Sequence, residues 1–180
     1  IISLPKWKEK VTVKTWIISF ENSRSIRAFE VLYNGKKIIG SETFWVVFNT
    51  KKRRPEGLAL PYNHFELFPD KRATTITFSK VGHHEDKEIV LEKTVCLSDL
   101  DIVNHVNNVK YLEWCLDLAD ENLILNQNIE SFDMNFIKEL SLKDNIIIHE
   151  ALLDKSTVFN ITKGNKSCFA LQLNFKLFFY

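Results

Sequence analysis

Cysteine is scarce in this chain: Cys96, Cys115 and Cys168 are the three among 180 residues, far apart and odd in number. No CxxC or HxxxH spacing exists to hold a metal, and buried or partly buried free thiols in a reducing cytoplasm, bacterial in type, are the expectation. Proline and glycine are nearly as rare, at four and five residues, which excludes collagen-like and linker-like chains. No apolar run approaches the roughly 18 residues that would span a bilayer, so an integral membrane protein is not expected. An excess of one charge is missing too. Twenty-four basic residues against 23 acidic leave a formal charge of +1, so a broad footprint for nucleic acid is absent. The chain starts Ile1-Ile2 without Met, and nothing there resembles a charged region followed by a secretory core. What is present, 45% hydrophobic and 26% charged residues, is the composition of a folded globular protein.

The pattern along the chain is mostly strand. Val11, Val13 and Trp16-Ile17-Ile18 are β-rich; Ile26 to Tyr33 and Ile38 to Phe48 follow, joined by Asn34-Gly35. Asn-Gly between apolar runs is the strongest short-range hairpin signal, because both residues tolerate positive φ. Ile146-Ile147-Ile148 and Val158 to Ile161 repeat the plan, and Gly164-Asn165 turns into Cys168 to Phe179. The matched offsets, Asn34 to Phe48 and Gly164 to Phe178, suggest an internal repeat. Between the copies, residues 51–88 read as connection, with one strand expected at Thr74–Phe78. Ile89 to Leu97 is then expected as a strand, Ser98 to His105 as a polar loop, and Val106 to about Asn122 as a helix. Val109, Leu112, Leu116 and Ala119 recur at helical spacing, with Trp114, Cys115 and Leu118 widening the apolar face, so the helix is expected to be buried on most sides. A helix wrapped by a long antiparallel sheet is the hotdog arrangement. The expectation is therefore an α+β chain holding a tandem, or double, hotdog. Residues 1–60 would be a partial first hotdog whose leading strand and helix would precede Ile1, 61–87 a linker and 88–180 the second hotdog.

Chemistry concentrates in Ser98-Asp99-Leu100-Asp101-Ile102-Val103-Asn104-His105-Val106-Asn107-Asn108, at the mouth of the expected helix. A helix N-terminus offers unpaired N–H groups and partial positive charge suited to an oxyanion. Asp and His beside it can orient or activate a water. Composition alone leaves the plainer alternative open, since Asp, Asn and Ser favour caps and turns for backbone reasons.

The order Asp-Leu-Asp-x-x-x-His-Val-Asn-Asn-Val-x-Tyr, running from Asp99 to Tyr111, resembles the helix-entry motif of the acyl-acyl carrier protein (acyl-ACP) thioesterases. These are the bacterial and plant-plastid hydrolases that end fatty-acid synthesis. Thr15-Trp16, Arg24 to Phe29, Gly40, Trp45-Val46 and Arg53-Arg54-Pro55 look like that family's first hotdog, and Phe136-Ile137-Lys138-Glu139 like the strand after the second helix. The resemblance implies that Asp101, His105 and Glu139 match catalytic residues, and that hydrolysis needs no metal or diffusible cofactor. Asp101 or Glu139 would activate the water or attack directly. His105 would position the thioester or its water, with Asn104 close by and N–H groups near Val106 and Asn107 on the oxyanion. It also implies an acyl carrier protein as partner, and leaves a homodimer as an open alternative for assembly. Two departures stand out. Where the family usually has Asn two residues before the His this chain has Val103, and where plant members have a Cys after the Glu it has Leu140. Asn104 is offset by one residue, so slow turnover is the expectation.

Other readings of the same residues remain: a hotdog acyl-CoA thioesterase, or a non-catalytic acyl-binding hotdog protein. His64, His83-His84 and His149 are expected to be solvated, and Cys115 to be core. Lys51 to Arg54 is expected as a solvated face that can also steer an acidic carrier protein. The aromatic end from Phe169 to Tyr180 holds one cation, Lys176, too few for a base-stacking RNA platform.

Overall fold

Strand β1 (Thr12–Glu21), β2 (Arg24–Tyr33) and β3 (Lys36–Val46) form an antiparallel three-stranded sheet in the order β1-β2-β3. They belong to a computed structural model that describes residues 1–176 apart from 53, 60, 77, 78, 83, 85 and 127. The β2–β3 turn is the expected one: Asn34 and Gly35 have φ of 49° and 76° between the paired residues Tyr33 and Lys36. Two left-handed residues in sequence match the right-handed twist of the strands they join. A short pair, β4 (Phe48–Asn49) and β5 (Arg54–Pro55), follows. The chain divides into two compact units, Ile1–Phe78 and Ser79–Tyr180.

Part of the stretch expected as connection packs on the first sheet. Trp16, Ile18 and Ala28 are buried together with Ala73. Phe68 N–H donates to the Ile17 carbonyl at 2.8 Å, and the Trp16 indole N–H donates to the Lys71 carbonyl at 2.7 Å. Glu42, its side chain almost wholly buried, accepts from the Ala73 N–H at 3.0 Å and pairs with Arg72. The strap crosses where the sheet has no side chain: a Cβ on Gly40 would stand 2.1 Å from the Ala73 carbonyl oxygen. Backbone held by Glu42 cannot retreat without losing those bonds. Gly40→Ala is accordingly expected to destabilise this unit by about 1–3 kcal/mol, the scale of overpacking. Denaturant unfolding measures it, and a wild-type midpoint would contradict the contact. Of the strand expected at Thr74–Phe78, residues 77 and 78 lie outside the described residues, and residues 74–76 are not in a strand.

The second unit is built on five antiparallel strands. These are β6 (Glu88–Thr94), β7 (Ile129–Phe136), β8 (Asn145–Leu153), β9 (Ser156–Lys163) and β10 (Lys166–Phe175), in the order β6-β8-β9-β10-β7. Helix α1 (Asn108–Leu116) lays Tyr111, Trp114 and Cys115 onto Ile146, Ile148, Phe159, Ile161, Phe169 and Leu171. A long antiparallel sheet carrying a helix on one face is the hotdog arrangement, and the class is α+β. Both hairpins behind the repeat are present, β2–β3 and β9–β10, the second turning at Gly164 with φ of 57°. Phe178, used in that comparison, lies outside the described residues.

Four expectations need correction. The single helix Val106–Asn122 is two: α1 stops at Leu116 and α2 (Glu121–Leu125) restarts after a turn. Caps decide this. The Asn107 side chain accepts from Val109 N–H at 3.0 Å and that of Asp120 from Asn122 N–H at 2.8 Å, each starting a helix at its own position. Leu118 and Ala119 still pack on the core, from the turn. Nor is α1 buried on most sides, since Val109 is 56% exposed. The strand after the helices is Ile129–Phe136, not Phe136–Glu139. Its signal was the alternation of Phe132, Met134 and Phe136 with Ser131, Asp133 and Asn135. Strand β6 ends at Thr94, and Leu97–Asp99 form a 3-10 turn. Among the described residues no helix is long and apolar enough to cross a membrane.

Candidate active site

Asp101 and His105 sit at the two ends of one tight turn. Asp101 N–H donates to the His105 carbonyl at 2.8 Å, and Asn104 N–H to the Asp101 carbonyl at 3.1 Å. The Asp101 carboxylate closes the turn from inside, Oδ1 accepting from Val103 N–H at 2.9 Å and His105 N–H at 3.2 Å. Asn104 holds the left-handed position, with φ of 64°. Asn is among the few residues that occupy it cheaply, so turn chemistry accounts for Asn104 on its own.

Asp99 anchors the turn to the core. Its buried carboxylate accepts from Cys96 N–H at 2.8 Å and lies 3.4 Å from Lys93 Nζ, which stands over the Trp114 ring. Its carbonyl accepts from Asn107 N–H at 2.9 Å. Asp99 is thus the structural carboxylate of the motif. Its burial separates it from Asp101, a distinction that the order of residues did not carry.

Glu139 arrives from the far side. Ile137 and Lys138 N–H both donate to the Cys168 carbonyl, at 2.9 and 3.0 Å, as the chain leaves β7. The next residues run antiparallel to the end of the turn: His105 bridges to Ser141, and Val106 N–H donates to the Leu140 carbonyl at 3.0 Å. That pairing places Glu139 Oε2 3.8 Å from His105 Nε2. Both side chains are about half exposed, so the pair contributes at most about 1 kcal/mol to folding and stays open to water. Ile102, Val103, Val109 and Ile137, all within four residues of His105 or Glu139 in the sequence, are exposed, Ile102 completely.

Two expected supporting groups are differently employed. The Val106 and Asn107 N–H groups were expected to face an oxyanion, yet both are committed to the carbonyls of Leu140 and Asp99. The cause is that the helix begins at Asn108, so these residues belong to the bridge before it. Leu140, at the position where the resemblance implied a cysteine in plant members, is fully buried. Cys115 is core as expected, and burial pushes its thiol far up from the usual range, which removes it as a nucleophile near neutrality. Cys168 is buried too, but Cys96 is exposed, because it lies in the loop after β6 rather than on the sheet face. Among the described residues no group of three or more His, Cys, Asp or Glu side chains is placed to hold a metal.

Elsewhere, His149 was expected to be solvated, but it is half-buried with Nε2 3.2 Å from the Thr162 hydroxyl. Burial and then Lys87 hold its pKa below the ordinary value. His64 stacks edge-on to Phe65, and His83 lies outside the described residues. In the basic run, the side chain of Asn49 caps Lys51 and Lys52, and Lys52 pairs with Glu56 at 2.6 Å. Arg53 lies outside the described residues.

The profile of the acyl-ACP thioesterase C-terminal domain matches residues 82–174, and that of the N-terminal domain matches residues 1–60. The chloroplastic palmitoyl-acyl carrier protein thioesterase of Arabidopsis thaliana is 27% identical, over 91% of this chain and 42% of its own length. The dodecanoyl-[acyl-carrier-protein] hydrolase of Cinnamomum camphora is 36% identical, over 77% of this chain and 38% of its own. The chain therefore spans less than half the length of these curated relatives. Two solved structures share the fold. An acyl-ACP thioesterase of Bacteroides thetaiotaomicron superposes with a TM-score of 0.82 at 22% identity, covering 92% of this chain and 68% of that one. The 12:0-ACP thioesterase of Umbellularia californica gives 0.79 at 20% identity, covering 96% and 70%. With one domain profile covering residues 82–174, including the Asp101–His105 turn and Glu139, this chain belongs to the acyl-ACP thioesterase family.

Proposed function

We propose that this chain hydrolyses the thioester of a fatty acyl-acyl carrier protein, releasing free fatty acid and the carrier thiol. The observation that supports it is the half-exposed His105–Glu139 pair at the end of the Asp101 turn. Water is the nucleophile, activated by Glu139 or Asp101; alternatively one carboxylate attacks first and water releases the acyl group. Attack on the carbonyl carbon puts charge on its oxygen, collapse expels the thiolate, and a proton from the general base completes the thiol. With the Val106 and Asn107 N–H groups engaged, the His105 ring N–H is the donor that meets the oxyanion. Ile102, Val103 and Ile137 shield the first carbons of the acyl chain from water. The acidic carrier is steered in part by the exposed cations of the first unit, Lys51 and Arg54, while Lys52 is offset by Glu56. The three free thiols suit the reducing cytoplasm we assign it to.

Incubation with long-chain acyl-ACP and with the matching acyl-CoA tests the reading, following thiol release and free fatty acid together. Faster release from the carrier protein is expected. Preference for acyl-CoA would move the chain to that substrate class, and tight acyl binding without release would make it a binding protein.

A further inference from the structure

We infer that Tyr111 is a positioning residue for Glu139, holding the carboxylate at its distance from His105 through the Leu140 backbone. The inference rests on the hydrolytic reading above for its purpose, but not for its geometry. Tyr111 lies on the buried face of α1, its ring packed on Trp114, Phe136 and Phe169 with centroids 5.7, 5.7 and 5.2 Å away. Three ring contacts leave the hydroxyl little freedom. It accepts a hydrogen bond from Leu140 N–H at 3.1 Å. Leu140 is wholly buried, so without that hydroxyl its N–H would lose its partner in the core. The Leu140 carbonyl is taken by Val106 N–H. One residue is therefore gripped on both sides, and it is the residue directly after Glu139. Burial raises the Tyr111 phenol to about 12, which keeps it neutral and able to accept across the working pH range.

The test is a double-mutant cycle read on the His105 ring resonances of the whole chain by NMR. This readout does not depend on turnover. Glu139→Gln should shift those resonances, since the carboxylate faces the ring at 3.8 Å. Tyr111→Phe should also shift them, and should add almost nothing in the Glu139→Gln background, because a residue acting through Glu139 has nothing left to act on. If the hydrolytic reading holds, Tyr111→Phe also lowers kcat about threefold to tenfold with KM within about twofold, as expected for lost positioning. Unmoved His105 signals in Tyr111→Phe, or a full additional shift in the double variant, overturn the inference. A silent enzyme with the cycle behaving as expected overturns the hydrolytic reading alone. Should Tyr111→Phe fail to fold, hydrogen exchange in the unaltered protein decides: the Leu140 amide must exchange among the slowest, and rapid exchange overturns the grip.

Discussion

Asp101→Asn is expected to lower hydrolysis of long-chain acyl-ACP at least about tenfold while leaving the fold nearly intact. The argument turns on which oxygen does what. Oδ1 accepts from Val103 and His105 N–H and shapes the turn that carries His105. An asparagine carbonyl oxygen keeps both bonds, so the turn survives, but the negative charge that would activate water or attack is gone. Asp101→Ala removes the acceptor as well. Two N–H groups then lose their partner, at about 0.5–1.5 kcal/mol each, and the thermal midpoint should fall together with the rate. Steady-state kinetics and thermal unfolding on the two variants separate the roles. Full turnover in Asp101→Asn beside a destabilised Asp101→Ala would make Asp101 a turn former only.

Val103→Asn is expected to raise the rate above that of the natural protein. Val103 is 61% exposed, and its N–H already serves the Asp101 turn, so its side chain can change without disturbing the fold. An amide here supplies a donor and an acceptor beside Asp101 and His105, where valine supplies neither. A gain of about tenfold, or about 1.4 kcal/mol of barrier, is the scale of one hydrogen bond to the reacting groups. The rival idea is that Asn104 already plays this part. Its left-handed backbone at φ of 64° complicates the usual alanine test, because alanine would be strained there. Glycine adopts that backbone freely. Asn104→Gly should therefore keep most of the activity. If it abolishes hydrolysis and Val103→Asn brings no gain, the amide of Asn104 is the working one.

Local chemistry accounts for what the sequence determined by itself. Asn34-Gly35 and Gly164-Asn165 specify hairpins because few residues tolerate positive φ, and strands flanking such pairs must run antiparallel. The run from Asp99 to Tyr111 marked the candidate site because its residue types, in their order, resemble one family's helix entry. Period-two alternation also marked Ile129–Phe136, although a resemblance drew attention to Phe136–Glu139 instead. The helix pattern from Val106 to Asn122 misled for a definite reason. Apolar spacing reports which side chains reach the core, and Leu118 and Ala119 reach it from a turn, while the caps at Asn107 and Asp120 set where helix begins.

The other features come from contacts between segments far apart in the chain. Glu139 meets His105 because the two residues after it, 140 and 141, join 106 and 105 through one hydrogen bond and one bridge, and isolated pairings of that kind leave no periodicity to read. The same pairing consumed the Val106 N–H that the helix-entry argument had assigned to an oxyanion. Gly40 is open to any role in the sequence, and it becomes a contact only when Ala73 crosses it. Each of these is a backbone group finding a partner far along the chain. Backbone N–H and C=O are the same chemical groups at nearly every residue, so which of them meet is fixed by the packed core that brings them together.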